Sequence, residues 1–342
     1  MGRNSNDSRA TTARKMGFLL QERTVVALGF SLLLIFGLGF SRHSDVSGVP
    51  DRYFWKMKVS WRDCADLVIT GDSRALRAVS PGEMERWLPN TRVLNYSFGH
   101  VGYTEPYLRA AENVLARKSS RKGVILCISP LSLTKGAADQ NEFVYRRELL
   151  AKEKYMNPHL ARLFHFLRPL ASNVEHEEGG KASRGPIRYS QAYRADGWIA
   201  TDRTPRNEAA AVAGYSTVFG PERDGPVSPD IVDSVVRTVA AWRQKAIEVY
   251  GFRAPACPEV LGLENTRGGF DEKAFVDKFT RAGGIWLDLD PGSFRTYDGS
   301  HLCPEAAVRL SRELGQRIRA VRAKEKQEVS SSADLGAPDA AQ

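Results

Sequence analysis

The sequence predicts an α/β protein, a three-layer α/β/α doubly wound parallel sheet carried behind a single N-terminal transmembrane helix. Short apolar runs, rich in β-branched residues and bounded by Gly, Pro or Asp, read as strands. They alternate with amphipathic stretches of helical spacing, which is the βα rhythm of a parallel sheet. A long charge-free run near the N-terminus, with basic residues before it, reads as the membrane segment.

In chain order, residues 1–23 form a basic tail carrying Arg3, Arg9, Arg14, Lys15 and Arg23. Thr24 to Phe40 (TVVALGFSLLLIFGLGF) follows, seventeen residues without a charge, at the short end of what spans a bilayer. Positive charge upstream holds that end in the cytoplasm, so the rest of the chain is expected outside. The run has no polar stripe, which argues against a buried core helix. The small-residue pattern after it is poor for cleavage, so we read an uncleaved signal anchor. A linker is expected over residues 41–59, then one α/β domain over 60–324. Its strands are expected at Leu67–Thr70, Val93–Tyr96, Val124–Ile128, Ile247–Phe252 and Ile285–Leu289. Helices are expected over Pro81–Leu88, Tyr107–Lys118, Asp230–Lys245, Phe270–Ala282 and Pro304–Ala323, the last with Pro in its first turn. Residues 135–228 break the rhythm with Arg/Glu-rich helical stretches and a segment dense in Gly, Pro and charge. So long an insertion reads either as a lid or partner surface or as a solvated excursion. The Ser/Ala/Asp-rich tail over 325–342 is expected to be disordered.

Composition excludes little: 42% apolar and 26% charged residues are ordinary globular values. The net charge of +9 lies largely in the N-terminal tail and in RIRAVRAKEK of the last helix. A domain facing outward meets no nucleic acid, so an anionic envelope surface or a solvated face accounts for the charge better. Cys64, Cys127, Cys257 and Cys303 show no CxxC or Cys/His spacing, which gives no support for a zinc site. An exported domain can pair some of them, and free buried thiols are the alternative. No metal or organic cofactor is called for.

Chemistry concentrates in two short stretches. Gly71-Asp72-Ser73 follows a strand immediately, which puts Ser73 at the carboxyl end of the sheet, where open α/β sheets build their sites. A serine hydroxyl is a weak nucleophile at neutral pH and needs a base, itself oriented by a third group. Of six histidines, only His301 has an aspartate three residues upstream, in YDGSHLCPEAA. Asp298 can hold one imidazole nitrogen while the other faces the serine. The alternatives are a helix cap for Ser73 and a turn residue for Asp298. Asp72, Arg74 and His100 are candidate substrate contacts, Asp72 more naturally as a brace of the loop.

These residues resemble the SGNH/GDSL hydrolases, with a Gly-Asp-Ser after strand one and an Asp-x-x-His before the last helix. The stretch VLNYSFGHVGY is similar to the family's second block, a strand-end Asn followed by a glycine whose amide helps hold an oxyanion. The family glycine commonly stands five residues after the Asn, where this chain has His100, with Gly99 before it and Gly102 after; Gly99 is the candidate. The third block, usually Gly-x-Asn-Asp, should fall at VILCISPLSLT, which has no Asn. Losing one such donor typically costs about 2.7–4 kcal/mol of transition-state stabilisation, and Ser129 and Ser132 are candidate substitutes.

The resemblance covers roughly residues 60–135 and 230–322 and implies a flavodoxin-like fold and an acyl-enzyme on Ser73. Asp298 would orient His301, His301 would take the proton, and the amides of Ser73 and Gly99 would hold the oxyanion. The expected substrates are O-acyl esters of an envelope carbohydrate. A narrower similarity, to single-span envelope acyl-transfer proteins, implies a membrane-bound acyl-transfer partner and a sugar hydroxyl as acceptor. A non-catalytic envelope scaffold is the reading from a different class, motivated by the missing Asn.

Overall fold

A computed structural model describes seven residues between 24 and 33, all helical, and then residues 48–153 and 187–334. The expected membrane run lies largely outside the described residues, and among these no helix is long and apolar enough to cross a membrane.

Five strands form one parallel sheet: β1 (Leu67–Thr70), β2 (Val93–Asn95), β3 (Gly123–Ile128), β6 (Glu248–Arg253) and β7 (Ile285–Trp286), in the order β2-β1-β3-β6-β7. Leu67 pairs with Val93 on one side and Gly123 on the other, and Gly123 in turn with Glu248. Alternating side chains of these buried strands feed two separate cores, because successive residues point to opposite faces. Val68, Leu94, Val124, Leu126 and Val249 face one core. It is shared with α1 (Asp51–Ser60), α4 (Glu105–Val114), α8 (Pro229–Gln244) and α10 (Glu272–Arg281). Leu67, Ile69, Ile125, Cys127, Tyr250 and Phe252 face the other. That core is closed by α2 (Ser73–Ala78), α3 (Pro81–Glu85) and α11 (Pro304–Asp334). The chain is thus an α/β protein with a parallel sheet flanked by helices.

Local signals explain several boundaries. Proline in the first turn opens α3, α4 and α8, where its missing N–H is not needed. Asp271 caps α10 by accepting from the Ala274 amide at 2.9 Å. Helix α4 stops at Val114 because Leu115 is extended and bridges Ala65. Strand β7 is shorter than expected, with only Ile285 and Trp286 in the ladder to β6.

Two expectations need correction. The linker expected over 41–59 contains α1, whose Phe54 and Met57 are buried in the first core. The tail expected to be disordered from Glu325 instead continues α11 to Asp334, with Glu325 ion-paired to Arg121 at 2.7 Å; residues 335–342 lie outside the described residues. Of the two alternatives open for the cysteines, the structure has free thiols, with Cys127, Cys257 and Cys303 buried and Cys64 partly so.

The insertion, in its described parts, is structured. It comprises α5 (Lys135–Asp139), α6 (Glu142–Glu153), an antiparallel hairpin of β4 (Arg188–Tyr193) and β5 (Ile199–Thr204), and α7 (Val212–Val218). The hairpin turn is tied to the sheet edge, where the Asn95 amide donates to the Asp196 carbonyl at 2.8 Å. It is tied also to α1, where the buried Lys58 amine donates to the Gly197 carbonyl at 2.9 Å and lies over the Phe54 and Phe98 rings. Burial pushes that amine well below its ordinary pKa, against the pull of Glu142 and Asp196.

Beside β6, α9 (Pro258–Thr266) supplies Glu264, which is fully buried between two buried arginines. It pairs with Arg74 of α2 and, at 2.8 Å, with Arg253 of β6. Removing one member of a buried ionic cluster leaves its partners uncompensated, at a cost of about 3–5 kcal/mol. Glu264→Gln is therefore expected to lose about that much stability, measured by urea unfolding; a loss inside the scatter of surface substitutions would show that the cluster does not hold α2 to β6.

Candidate active site

The carboxyl end of β1 is shaped by Gly71. Its φ is +151°, and a Cβ there would lie 2.6 Å from the Ala75 Cβ and 3.1 Å from the Cys127 Cβ, so only glycine lets helix and strand approach so closely. Its N–H is satisfied by the Tyr107 hydroxyl at 3.0 Å. Asp72 caps α2, its carboxylate accepting from the Arg74 amide at 2.9 Å. Because the aspartate fills the cap, the serine next to it is not needed there. Ser73 instead occupies the first helical position with its hydroxyl free to bond elsewhere.

That hydroxyl meets His301, whose Nε2 lies 2.8 Å from Ser73 Oγ across 228 residues of sequence. His301 Nδ1 lies 2.8 Å from Asp298 Oδ2. The other carboxylate oxygen accepts the amides of Ser300 at 2.9 Å and His301 at 2.8 Å, which fixes its orientation. Ser300 Oγ adds contacts to Asp298 Oδ1 at 3.2 Å and His301 Nδ1 at 2.9 Å. The Tyr297 ring stacks on the imidazole with centroids 5.6 Å apart and planes 12° from parallel. Only 15% of the His301 side chain is exposed, so the base is sheltered yet reachable.

The insertion braces this loop from outside. The Ala211 amide donates to the Asp298 carbonyl and the Asn207 amide to the Tyr297 carbonyl, both at 2.8 Å. Gly299, at φ +100°, sits so tightly that a Cβ would lie 2.0 Å from the Glu208 carbonyl oxygen.

Electrostatics suit a resting acid–base pair. Burial alone would raise the Asp298 pKa, but the hydrogen bonds and charge from His301 with the two loop amides outweigh it and hold the carboxyl well below its usual range. Burial, then the Arg77 guanidinium, pull His301 below its ordinary value, while Asp298 pulls it up; the net direction is down. The imidazole is therefore neutral at pH 7, as a general base must be. Arg77 stands four residues after Ser73, on the same face of α2, and donates to the Tyr297 hydroxyl at 2.7 Å. Sequence reading passed over Arg77, Tyr297 and Ser300; the i,i+4 spacing from Ser73 is the signal that finds the first.

The other nominated residues have different surroundings. Arg74 is not available to a substrate: it is 1% exposed and bonded to Glu264, to Ser129 Oγ at 2.8 Å and to the Ala254 carbonyl at 3.3 Å. Its aliphatic stem and charge are part of the body, because α2 turns that face inward. His100 Nε2 faces Asp224 of the insertion at 3.4 Å. Of the two candidate oxyanion donors, the Ser73 amide donates to the Gly99 carbonyl at 3.1 Å and the Gly99 amide to the Glu142 carboxylate. Asn95 spends its side-chain amide on the Ala75 and Val79 carbonyls, both at 2.9 Å, which ends α2. Ser129 is taken by Arg74, and Ser132 Oγ is buried without a partner. Among the described residues no group of His, Cys, Asp and Glu has the arrangement of a metal site.

Compared with models of known protein families and with curated proteins, the chain matches none.

The charge balance at His301 can be measured directly. By NMR titration, its imidazole is expected to titrate below 6.5, the ordinary histidine value. Arg77→Gln removes a repelling cation and should move the midpoint up, whereas Asp298→Asn removes the attracting anion and should move it down. Shifts of the opposite sign would mean that neither side chain sets the field at the imidazole.

Proposed function

We propose that the chain is a serine esterase of SGNH type whose site is the Ser73–His301–Asp298 relay. The observation that carries this reading is the unbroken pair of 2.8 Å hydrogen bonds from Ser73 Oγ through the imidazole to Asp298. Support comes from the strand order, which reverses at β1 and so opens a crevice at the carboxyl end where Ser73 stands. On this reading the fold is the doubly wound, flavodoxin-like three-layer type.

The chemistry follows from the geometry. His301 Nε2 takes the Ser73 proton as Oγ attacks the ester carbonyl, and Asp298 stays ionised to stabilise the imidazolium. The imidazolium then protonates the leaving alcohol, which departs and leaves an acyl group on Ser73. Attack on that acyl-enzyme by water is hydrolysis, and attack by a sugar hydroxyl is transfer to a glycan. Both use the same three residues in the same roles. With the charge-free run at 24–40 as an uncleaved anchor, the site would work outside the cytoplasmic membrane on O-acylated envelope carbohydrate, beside a membrane-bound acyl-transfer partner where transfer is the outcome.

One observation favours a non-catalytic scaffold: both candidate oxyanion amides are already hydrogen-bonded within the chain. The two readings separate with a fluorophosphonate probe on the full chain. Labelling located by mass spectrometry at Ser73 is expected, and Ser73→Ala and His301→Ala should abolish it. A folded chain that stays unlabelled would turn the reading to the scaffold.

Glu142 gives a second discriminating test. If its carboxylate must leave the Gly99 amide before an oxyanion can be held, Glu142→Ala should label faster than the parent chain. Unchanged or slower labelling would mean that the amide is not part of the oxyanion site.

A further inference from the structure

Near the proposed site two arginines lack the anions their chemistry calls for. Arg203 on β5 is 7% exposed, and its Nε and Nη1 are buried without a hydrogen-bond partner. Arg77 on α2 donates one nitrogen to Tyr297, while its Nε is likewise buried and unpartnered. Neither forms an ion pair among the described residues. A guanidinium is charged at any pH the protein meets, and burying one unpaired is costly, so such a group in a folded chain asks for a ligand.

Position relates the two to each other and to His301. Across the hairpin Arg203 is paired with Tyr189, and residues directly opposite in an antiparallel ladder project from the same face. The Tyr189 ring meets Tyr297 edge-on, with centroids 6.3 Å apart. Tyr297 in turn stacks on His301 and accepts from Arg77. At the entry to β5 the Trp198 indole donates to the Arg77 carbonyl at 2.9 Å, so the strand starts beside α2. Arg77 and Arg203 therefore lie on the Tyr189–Tyr297 side of the base. Of the nearby carboxylates, Asp72 spends only Oδ1, on the Arg74 amide, and pairs with neither arginine. Asp202 is held by Arg206 at 2.9 and 2.6 Å, and Asp298 by His301.

We propose that Arg77 and Arg203 form a subsite for an anionic oxygen group, a carboxylate or a phosphate, on the Tyr189–Tyr297 side of His301. The planar guanidinium fork matches both groups. Coupled with the esterase reading, on which this step rests, the subsite makes the substrate an ester of an anionic glycan, with the charged group next to the scissile bond. The subsite itself stands on the arginines alone.

Calorimetric titration of the full chain with glucuronate, inorganic phosphate and glucose tests it. Binding of at least one anion and none of glucose is expected, and the preferred anion names the source of the charge. Arg77→Gln and Arg203→Met should each weaken that binding about tenfold or more, the loss expected for a charge-assisted hydrogen bond. Arg203→Met fills the space and removes a buried unpaired charge, so it should melt no lower than the parent chain; a much lower melting point would assign Arg203 a structural role. If that variant does not fold, the partly exposed Arg77 decides the matter. No anion bound by the parent chain, or equal binding by the variants, overturns the subsite. A parallel measurement of kcat/KM for 4-nitrophenyl hemisuccinate against 4-nitrophenyl butyrate should favour the anionic ester, with the ratio falling in Arg77→Gln. Anion binding without hydrolysis of either ester would retire the esterase reading and leave the subsite standing; hydrolysis without anion binding would do the reverse.

Discussion

The reversal at Gly71–Asp72, where β1 turns directly into α2 with no loop between, is the constraint on which the carboxyl edge of the sheet depends. A side chain at Gly71 would collide with Ala75 and Cys127, so the helix can press onto the sheet end only because that position is glycine. Once α2 is seated so closely, its first residues have fixed partners. Asp72 caps the helix, Arg74 reaches the buried Glu264, Ser73 faces His301, and Arg77, one turn on, faces Tyr297. The neighbouring strand ends are pinned to the same place by two buried tyrosines. Tyr107 donates to the Tyr96 carbonyl at 3.0 Å and Tyr103 to the Cys127 carbonyl at 2.9 Å. Burial raises the pKa of both phenols well above the ordinary value, which keeps them protonated as donors.

The sheet was legible because its strands are buried on both faces and read as short uninterrupted apolar runs. Leu67–Thr70 falls where the sequence placed it, and the ends of β3 and β6 move by single residues. What stayed hidden was structure stabilised by distant contacts. Helix α1 has few local signals, and its order comes from Phe54 and Met57 reaching the first core. In the same way the hairpin of β4 and β5 carries Arg188, Arg194 and Arg203 among its strand and turn residues, so its pairing left no clean polar–apolar alternation to read. Ser73, Asp298 and His301 stood out because they lie in two short motifs, Gly-Asp-Ser after a strand and Asp-x-x-His before a helix, which the fold brings together. Arg203 did not, since nothing in its sequence neighbourhood distinguishes a buried arginine from a solvated one.

Charge around the imidazole is arranged in opposition. Asp298 and Arg77 act on the same ring with opposite signs, and burial, helped by the cation, outweighs the carboxylate. A base left neutral at pH 7 can accept a proton at once, and the adjacent carboxylate makes the resulting imidazolium tolerable. Arg74 shows how differently two arginines of one short helix are employed. Its charge is cancelled inside the protein by Glu264, whereas Arg77 has only the Tyr297 hydroxyl and no carboxylate partner.

On the esterase reading, the two amides that would hold an oxyanion are both already bonded within the chain. The Ser73 amide is bonded to the Gly99 carbonyl, so on that reading this contact has to open before the amide can hold an oxyanion. The Gly99 amide is turned instead to Glu142 at the start of α6, whose own amide holds the His100 carbonyl. Glu142 is also paired with Arg146 one turn later, so its carboxylate is shared between a backbone and a cation. Removing it from Gly99 costs one charge-assisted hydrogen bond, which a developing negative charge can replace with another of the same kind.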